Sequence, residues 1–234
     1  MKNLFLLQST VPNPEMISNQ IAEPVTEKLR ILDLVFAPSS LWIMIPLLVM
    51  LALAIYIFVE RLLTINKSAK EERNFMNNIR DFIHSGKIES ALALCKGNST
   101  PIARMIEKGI TRIGKPLTDI SAAIENTGNL EVQRLEKKVS VLATIAGAAP
   151  MLGFLGTVVG MVIAFHNMEA NPNNLNIADL SGGIYTAMIT TVGGLIVGII
   201  AYFCYNIIVS RISQVVYMLE AKSTEFIDLL HEPV

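Results

Sequence analysis

The chain has 234 residues, a formal net charge of −1 and 52% hydrophobic residues, with a mean hydropathy of +0.49. That balance is too apolar for an ordinary soluble domain, and the near-neutral charge gives no electrostatic reason to expect a nucleic-acid partner. The two cysteines, Cys95 and Cys204, fall on different predicted elements without ligand spacing, so they read as free thiols and no metal or cofactor is expected.

The apolar residues are blocked rather than dispersed. Three stretches lack Asp, Glu, Lys and Arg altogether: 37–59, 139–168 and 180–210. A membrane helix needs about 20 apolar residues at about 1.5 Å each, so all three qualify. The fold class read from this is all-α: a polytopic membrane protein with three transmembrane helices, whose long helices extend into a helical cytoplasmic domain. Fourteen Lys and Arg lie between Arg61 and Lys138, whereas the connection from Asn167 to Ser181 has none. By the positive-inside rule the middle segment is cytoplasmic, the N-terminus lies outside and the C-terminus inside.

Residues 1–38 form the predicted outer-face segment. Leu4 to Leu7 after Lys2 hint at a signal peptide, but Gln8, Ser9, Pro12 and Pro14 cut its apolar core short, so the segment is expected to be retained. From Glu15 to Phe36 apolar residues recur near helical spacing, interrupted at Pro24. This fits either an amphipathic helix lying on the membrane surface or a loosely ordered tail. Residues 39–60 are the first predicted span. Ser39 or Ser40 can cap it, Trp42 suits the outer interface, and the run is apolar all round, as for a helix facing lipid on most sides. Glu60 and Arg61 close it, as an interface anchor or as an inter-subunit ion pair.

Residues 61–138 read as a small helical cytoplasmic unit. A helix over 68–85 should stop at Gly86, a short one should follow over 88–96, and Thr100 or Ser99 should cap a third that starts at Pro101. Gly114-Lys115-Pro116 breaks the chain. From Leu117 a long helix is expected to run unbroken into the second span, with Gly128 as its weakest point. His84 reads as a surface residue. The unit has no Gly-rich phosphate loop, HExxH or CxxC, so no enzyme chemistry is expected.

The second span, 139–167, places Pro150, Gly153, Thr157, Gly160 and Ala164 at intervals of 3, 4, 3 and 4: one helix face of small residues and one hydroxyl. Residues 168–182 are a short, Asn-rich outer loop that makes spans two and three a hairpin. The third span, 183–209, repeats the device with Ala187, Thr191, Gly194, Gly198 and Ala201, and Thr190 sits beside Thr191. Small residues at this spacing serve tight helix packing, or they line a polar path with Thr157, Thr191 and Thr190 as its hydroxyls. Both readings stand on the pattern alone. Residues 210–234 continue the helix into the cytoplasm, where it can pack on the extension of span two.

From Leu142 to Phe165 the text LATIAGAAPMLGFLGTVVGM, followed by Phe165, resembles the MotA/TolQ/ExbB proton-channel family, and AMITTVGGL from Ala187 to Leu195 resembles its second motif. The three-span plan with an N-terminal extension is most like the ExbB branch. The resemblance implies a pentamer, in the bacterial inner membrane, whose second and third spans surround the helices of a single-span ExbD-like partner. That partner carries a membrane aspartate, and the complex uses the proton gradient to drive a TonB-like protein. Carried over by motif, Thr157 and Thr191 face that aspartate. Some members have a glutamate where this chain has Thr186 and a proline where it has Ile200. The first difference counts against proton uptake by this subunit there. Between 139 and 168 the sole candidate base is His166 at the outer edge, so a partner must bring the carrier. Competing readings are a TolQ-like envelope-integrity subunit, a non-conducting membrane scaffold, and a solute transporter. The last would call for inverted repeats and a broken mid-membrane helix.

Overall fold

The protein is described by a computed structural model that covers residues 41–68, 74–170 and 177–231. The expected outer-face segment 1–38, with its amphipathic stretch and the capping serines, lies outside the described residues. Among these residues every regular element is an α-helix: α1 (Leu41–Ser68), α2 (Phe75–His84), α3 (Ile88–Gly97), α4 (Pro101–Ile110), α5 (Leu117–Glu136), α6 (Val139–Ala170) and α7 (Ile177–His231).

Among the described residues three stretches are long and apolar enough to cross a membrane, within Leu41–Ser68, Leu117–Ala170 and Leu180–His231. They pack together: α6 and α7 form the most extensive pairing, and α1 lies against both. α1 buries one stripe, Ile43, Leu47, Ala54, Ile57, Arg61 and Ile65, and exposes Ile45, Val49, Tyr56 and Val59 on its other sides. Intervals of three, four and seven keep that stripe on one face. The stripe fits an otherwise lipid-like helix: it is mostly aliphatic, with Ala54 as its small residue and Arg61 as its polar one at the charged end, since aliphatic knobs pack as well on a neighbour as on lipid.

The connection after α6 is shorter than expected, because helix continues to Ala170 and resumes at Ile177. α7 then runs 55 residues without interruption, about 80 Å at 1.5 Å per residue. Its far end docks on a bundle of α2 to α5. Phe75, Ile79, Ala91, Cys95, Ile106, Ile124 and Phe226 are fully buried there and belong to one core that continues into the long helices. Burying each large apolar side chain contributes about 1.5–3 kcal/mol. Local signals start and stop these short helices. Thr100 Oγ1 accepts from the Ala103 N–H at 3.3 Å, with Pro101 in the first turn, and Gly86 (φ 69°) follows the end of α2. Burial, reinforced by Glu107, pushes the Cys95 thiol up to about 12, so it behaves as a small apolar side chain.

One expectation fails. The helix from Leu117 does not run unbroken into the apolar stretch: α5 ends at Glu136, α6 starts at Val139, and Lys138 between them has φ 67°. Gly128 is not the weak point. It is buried in α5 where α4 crosses, and a β carbon there would lie 3.0 Å from Met105 Cε.

α4 and α5 run antiparallel, with Met105 opposite Gly128 and Gly109 opposite Ile124. A β carbon at Gly109 would come within 2.6 Å of Phe226 Cε1 and 2.8 Å of Ile124 Cδ1, both in buried side chains. Gly109→Ala should therefore push the end of α7 off the bundle and cost about 1–3 kcal/mol. Thermal unfolding should show a lowered Tm for Gly109→Ala and little change for Gly97→Ala, whose new methyl meets open space.

Candidate functional site

The small residues of α6 and α7 face one another. The pairs run antiparallel, Ala164 with Gly183, Gly160 with Ala187 and Gly153 with Gly194 in one register, and Pro150 with Gly198 shifted by one residue. At each glycine an added β carbon would collide across the seam. At Gly194 it would sit 2.6 Å from the Ala149 carbonyl oxygen and 2.8 Å from Gly153 Cα. At Gly153 it would sit 2.9 Å from the Thr190 carbonyl oxygen. Backbones that close leave no space for side chains, which is why glycine and alanine recur here at intervals of three and four. Packing is thus what Pro150, Gly153, Gly160, Ala164, Ala187, Gly194 and Gly198 do within the chain.

Pro150 lies inside α6 and donates no N–H, so the Ala146 carbonyl lacks its usual helical donor. Gly198 answers this. A β carbon there would fall 2.6 Å from Pro150 Cγ and 3.2 Å from the Ala146 oxygen, so only glycine lets α7 lie against the ring and the freed carbonyl together.

The three threonines occupy different settings. Thr190 is buried, its hydroxyl donating to the Ala187 carbonyl at 2.7 Å, and it fills the space beside Gly156 that Ile43 of α1 also lines. Thr191, one residue on, is half-buried. Its Oγ1 donates across the seam to the Gly153 carbonyl at 2.9 Å. Thr157 is half-buried too and donates to the Phe154 carbonyl in its own helix at 2.6 Å. Gly153 and Thr157 are one turn apart on α6, about 6 Å along the axis. The bond to the Gly153 carbonyl thus sets Thr191 within about a turn of Thr157, and each hydroxyl, having donated its proton, keeps its oxygen as an acceptor. Around them Met151, Phe154, Val158, Met188 and Val192 are exposed. The result is a small polar strip in an apolar surface. It can accept hydrogen bonds and order water, but it holds no group able to store a proton at neutral pH.

At the charged end, Glu60 and Arg61 belong to a network the sequence did not suggest. Glu131 is buried and receives Arg104 through Nε (2.9 Å) and Nη2 (2.5 Å), and Arg134 Nη1 at 2.7 Å. Arg61 Nη1 donates to the Arg134 carbonyl at 3.1 Å, and Glu60 accepts from Arg61 at 3.2 Å and from Lys138 at 2.8 Å. α4, α5, α1 and the start of α6 are thereby joined by charge-assisted bonds. No spacing rule could have paired partners 73 and 78 positions apart.

The seam makes a sharp test. Gly194→Ala in α7 should force α6 and α7 apart at backbone, costing about 1–3 kcal/mol, whereas Gly147→Ala in α6 meets no atom within 4 Å. Thermal stability in detergent should fall for the first and hold for the second.

Similarity to known proteins agrees with this architecture. Residues 98–221 match the MotA/TolQ/ExbB proton channel family. An ExbB-like biopolymer transport protein of Synechocystis sp. is 26% identical over 164 residues, covering 70% of this chain and 78% of that protein. An ExbB homolog of Methanothermobacter thermautotrophicus is 28% identical over 72% of this chain and 61% of its own length. The Tol-Pal system protein TolQ of Haemophilus influenzae is 26% identical over 87% of this chain and 93% of its own. With three membrane-length helices, a glycine seam between two of them and a family match reaching both helices of that seam, the chain belongs to the MotA/TolQ/ExbB proton channel family.

Proposed function

We propose that the chain is the proton-channel subunit of an inner-membrane energy-transducing motor, ExbB-like in its role. The observation that carries this reading is the polar strip of Thr157 and Thr191, set in charge-free stretches of two closely packed helices. A proton carrier in such a place needs hydroxyls to hand protons on and one titratable group to hold them. The strip provides the first. An ExbD-like single-span partner with a membrane aspartate provides the second.

The remaining assignments follow from charge and exposure. Large apolar side chains cover the outside of all three long helices, a surface suited to lipid and to further copies of the chain in a ring, a pentamer by family likeness. The Lys- and Arg-rich helices α2 to α5 lie on the cytoplasmic side, together with the end of α7, and the N-terminus is periplasmic. In this scheme residues 39–60, 139–167 and 183–209 are the spans, and a TonB-like protein receives the work. Thr190 packs against α1 and supports the seam without facing the path. The extended match to a TolQ protein favours one second reading, in which the same machine works with a TolR-like partner in envelope integrity.

Replacing Thr157 and Thr191 together by Val should abolish proton-driven function while the complex still assembles. The lost Thr191–Gly153 bond is worth about 0.5–1.5 kcal/mol, too little to open the seam. Energised uptake and the oligomer seen by native mass spectrometry should be measured on the same preparation. Normal uptake, or a stable monomer in the wild type, would overturn the reading. Co-purification with a single-span protein bearing one membrane aspartate should accompany activity, and its neighbouring genes, TonB-like or Tol-Pal-like, separate the two roles.

A further inference from the structure

Lys137 and Lys138 interrupt the path from α5 to α6, although lysine is a good helix former. Lys137 has φ −52° and ψ 133°, and Lys138 has φ 67°, the one non-glycine residue with positive φ among the described residues. A lysine in that region is strained, because its β carbon crowds the backbone oxygen. The two residues do not choose this conformation themselves, so contacts from elsewhere must hold it.

α1 supplies those contacts. In an uninterrupted helix the Arg134 carbonyl would accept from the N–H of Lys138, four residues on. The extended ψ of Lys137 turns that N–H away, and Arg61 Nη1 donates to the carbonyl in its place at 3.1 Å. The neighbouring Glu60 takes the other side of the lost bond: it accepts from Lys138 Nζ at 2.8 Å, and the same ammonium lies 5.9 Å from the centre of the Tyr56 ring. Consecutive residues of α1 thus grip the acceptor and the donor residue of one missing helical hydrogen bond. The grip is incomplete. Arg61 is 6% exposed, yet its Nε is the one buried side-chain polar atom without a hydrogen bond among the described residues. A buried guanidinium with an unused donor is the kind of group that marks stored strain. Beside the break a cleft of about 580 Å³, lined in part by Gln133, Lys137, Ser140, Tyr205 and Ser213, gives the segment room to move.

We propose that Lys137–Lys138 is a two-position joint. It is broken while Arg61 and Glu60 hold it, and it closes into one helix from Leu117 to Ala170 when they let go. Arg61 and Glu60 are positioning residues: they set the angle at which the span that carries Thr157 leaves the α2–α5 bundle. This stands apart from the functional reading, since it concerns the path of the backbone and not what passes beside it.

Amide hydrogen exchange on the full-length protein in nanodiscs tests the joint directly. When the joint is broken, the N–H groups of Lys138, Val139 and Ser140 open α6 without helical acceptors; in the closed helix all three are bonded. Arg61→Met leaves the Arg134 carbonyl needing a donor and should slow exchange at these amides by about tenfold. Lys138→Ala, at an exposed position that tolerates change, removes the Glu60 grip and keeps the β carbon that disfavours positive φ, so it should slow exchange likewise. Adding Lys138→Gly to Arg61→Met should restore fast exchange, because glycine accepts φ 67° freely. A merely structural loss of packing would speed exchange in every variant. Unchanged or faster exchange in Lys138→Ala, or in a folded Arg61→Met protein, would overturn the proposal.

Discussion

Ala149, Gly153 and Gly194 bring two helix backbones into direct contact, and most of the molecule is arranged to permit that approach. In lipid there is no hydrophobic reward for pairing helices, because the surrounding tails are as apolar as the helix surfaces. Attraction comes from dispersion at short range and from polar groups that find partners. Removing side chains at every third or fourth position lets α6 and α7 use both. Once they are close, the Thr191 hydroxyl can reach the Gly153 carbonyl, Gly198 can cover the gap left by Pro150, and Thr190 can fill the space toward α1. Each polar group in the seam is therefore positioned by an absent side chain on the other helix.

The other end of the molecule is held by opposite means. Glu131 is buried with Arg104 and Arg134 around it, and Arg61 and Lys138 extend the network to α1. Glu131 and Arg61 are the enclosed members, and an enclosed charge is costly unless it is paired; the pairing fixes direction as well as distance. The seam tolerates no added atom but has little directional preference along its length. The charged network specifies which helix ends meet. Together they join the membrane-length helices to the bundle with a defined rotation.

Much of this was legible in the residues. Freedom from charge located the apolar stretches, Thr100-Pro101 and Gly86 marked helix ends, and intervals of three and four picked out the faces of α6 and α7. Those signals are local, and helix geometry converts them to structure without further information. Whether the two small faces packed on each other or lined a path could not be read, because a stripe of glycine and threonine looks the same from either side. The structure gives the glycines to the seam and leaves Thr157 and Thr191 at its edge. The break before Val139 was hidden for a different reason. Its residues are two helix-forming lysines, and what bends them is a pair of side chains on α1 more than seventy positions away.

α7 differs from its neighbour in having no break anywhere along its 55 residues. A continuous helix that long acts as a lever arm. Tilting it by one degree about the seam end displaces the far end by about 1.4 Å over its roughly 80 Å length. The path through α5 and α6 has Lys137–Lys138 within it and can absorb such a tilt locally, whereas α7 must carry it undiminished to Phe226 and the bundle beneath. The hairpin therefore pairs a stiff rod with a jointed one. Movements too small to disturb the glycine contacts reach the charged end magnified along only one of its two arms.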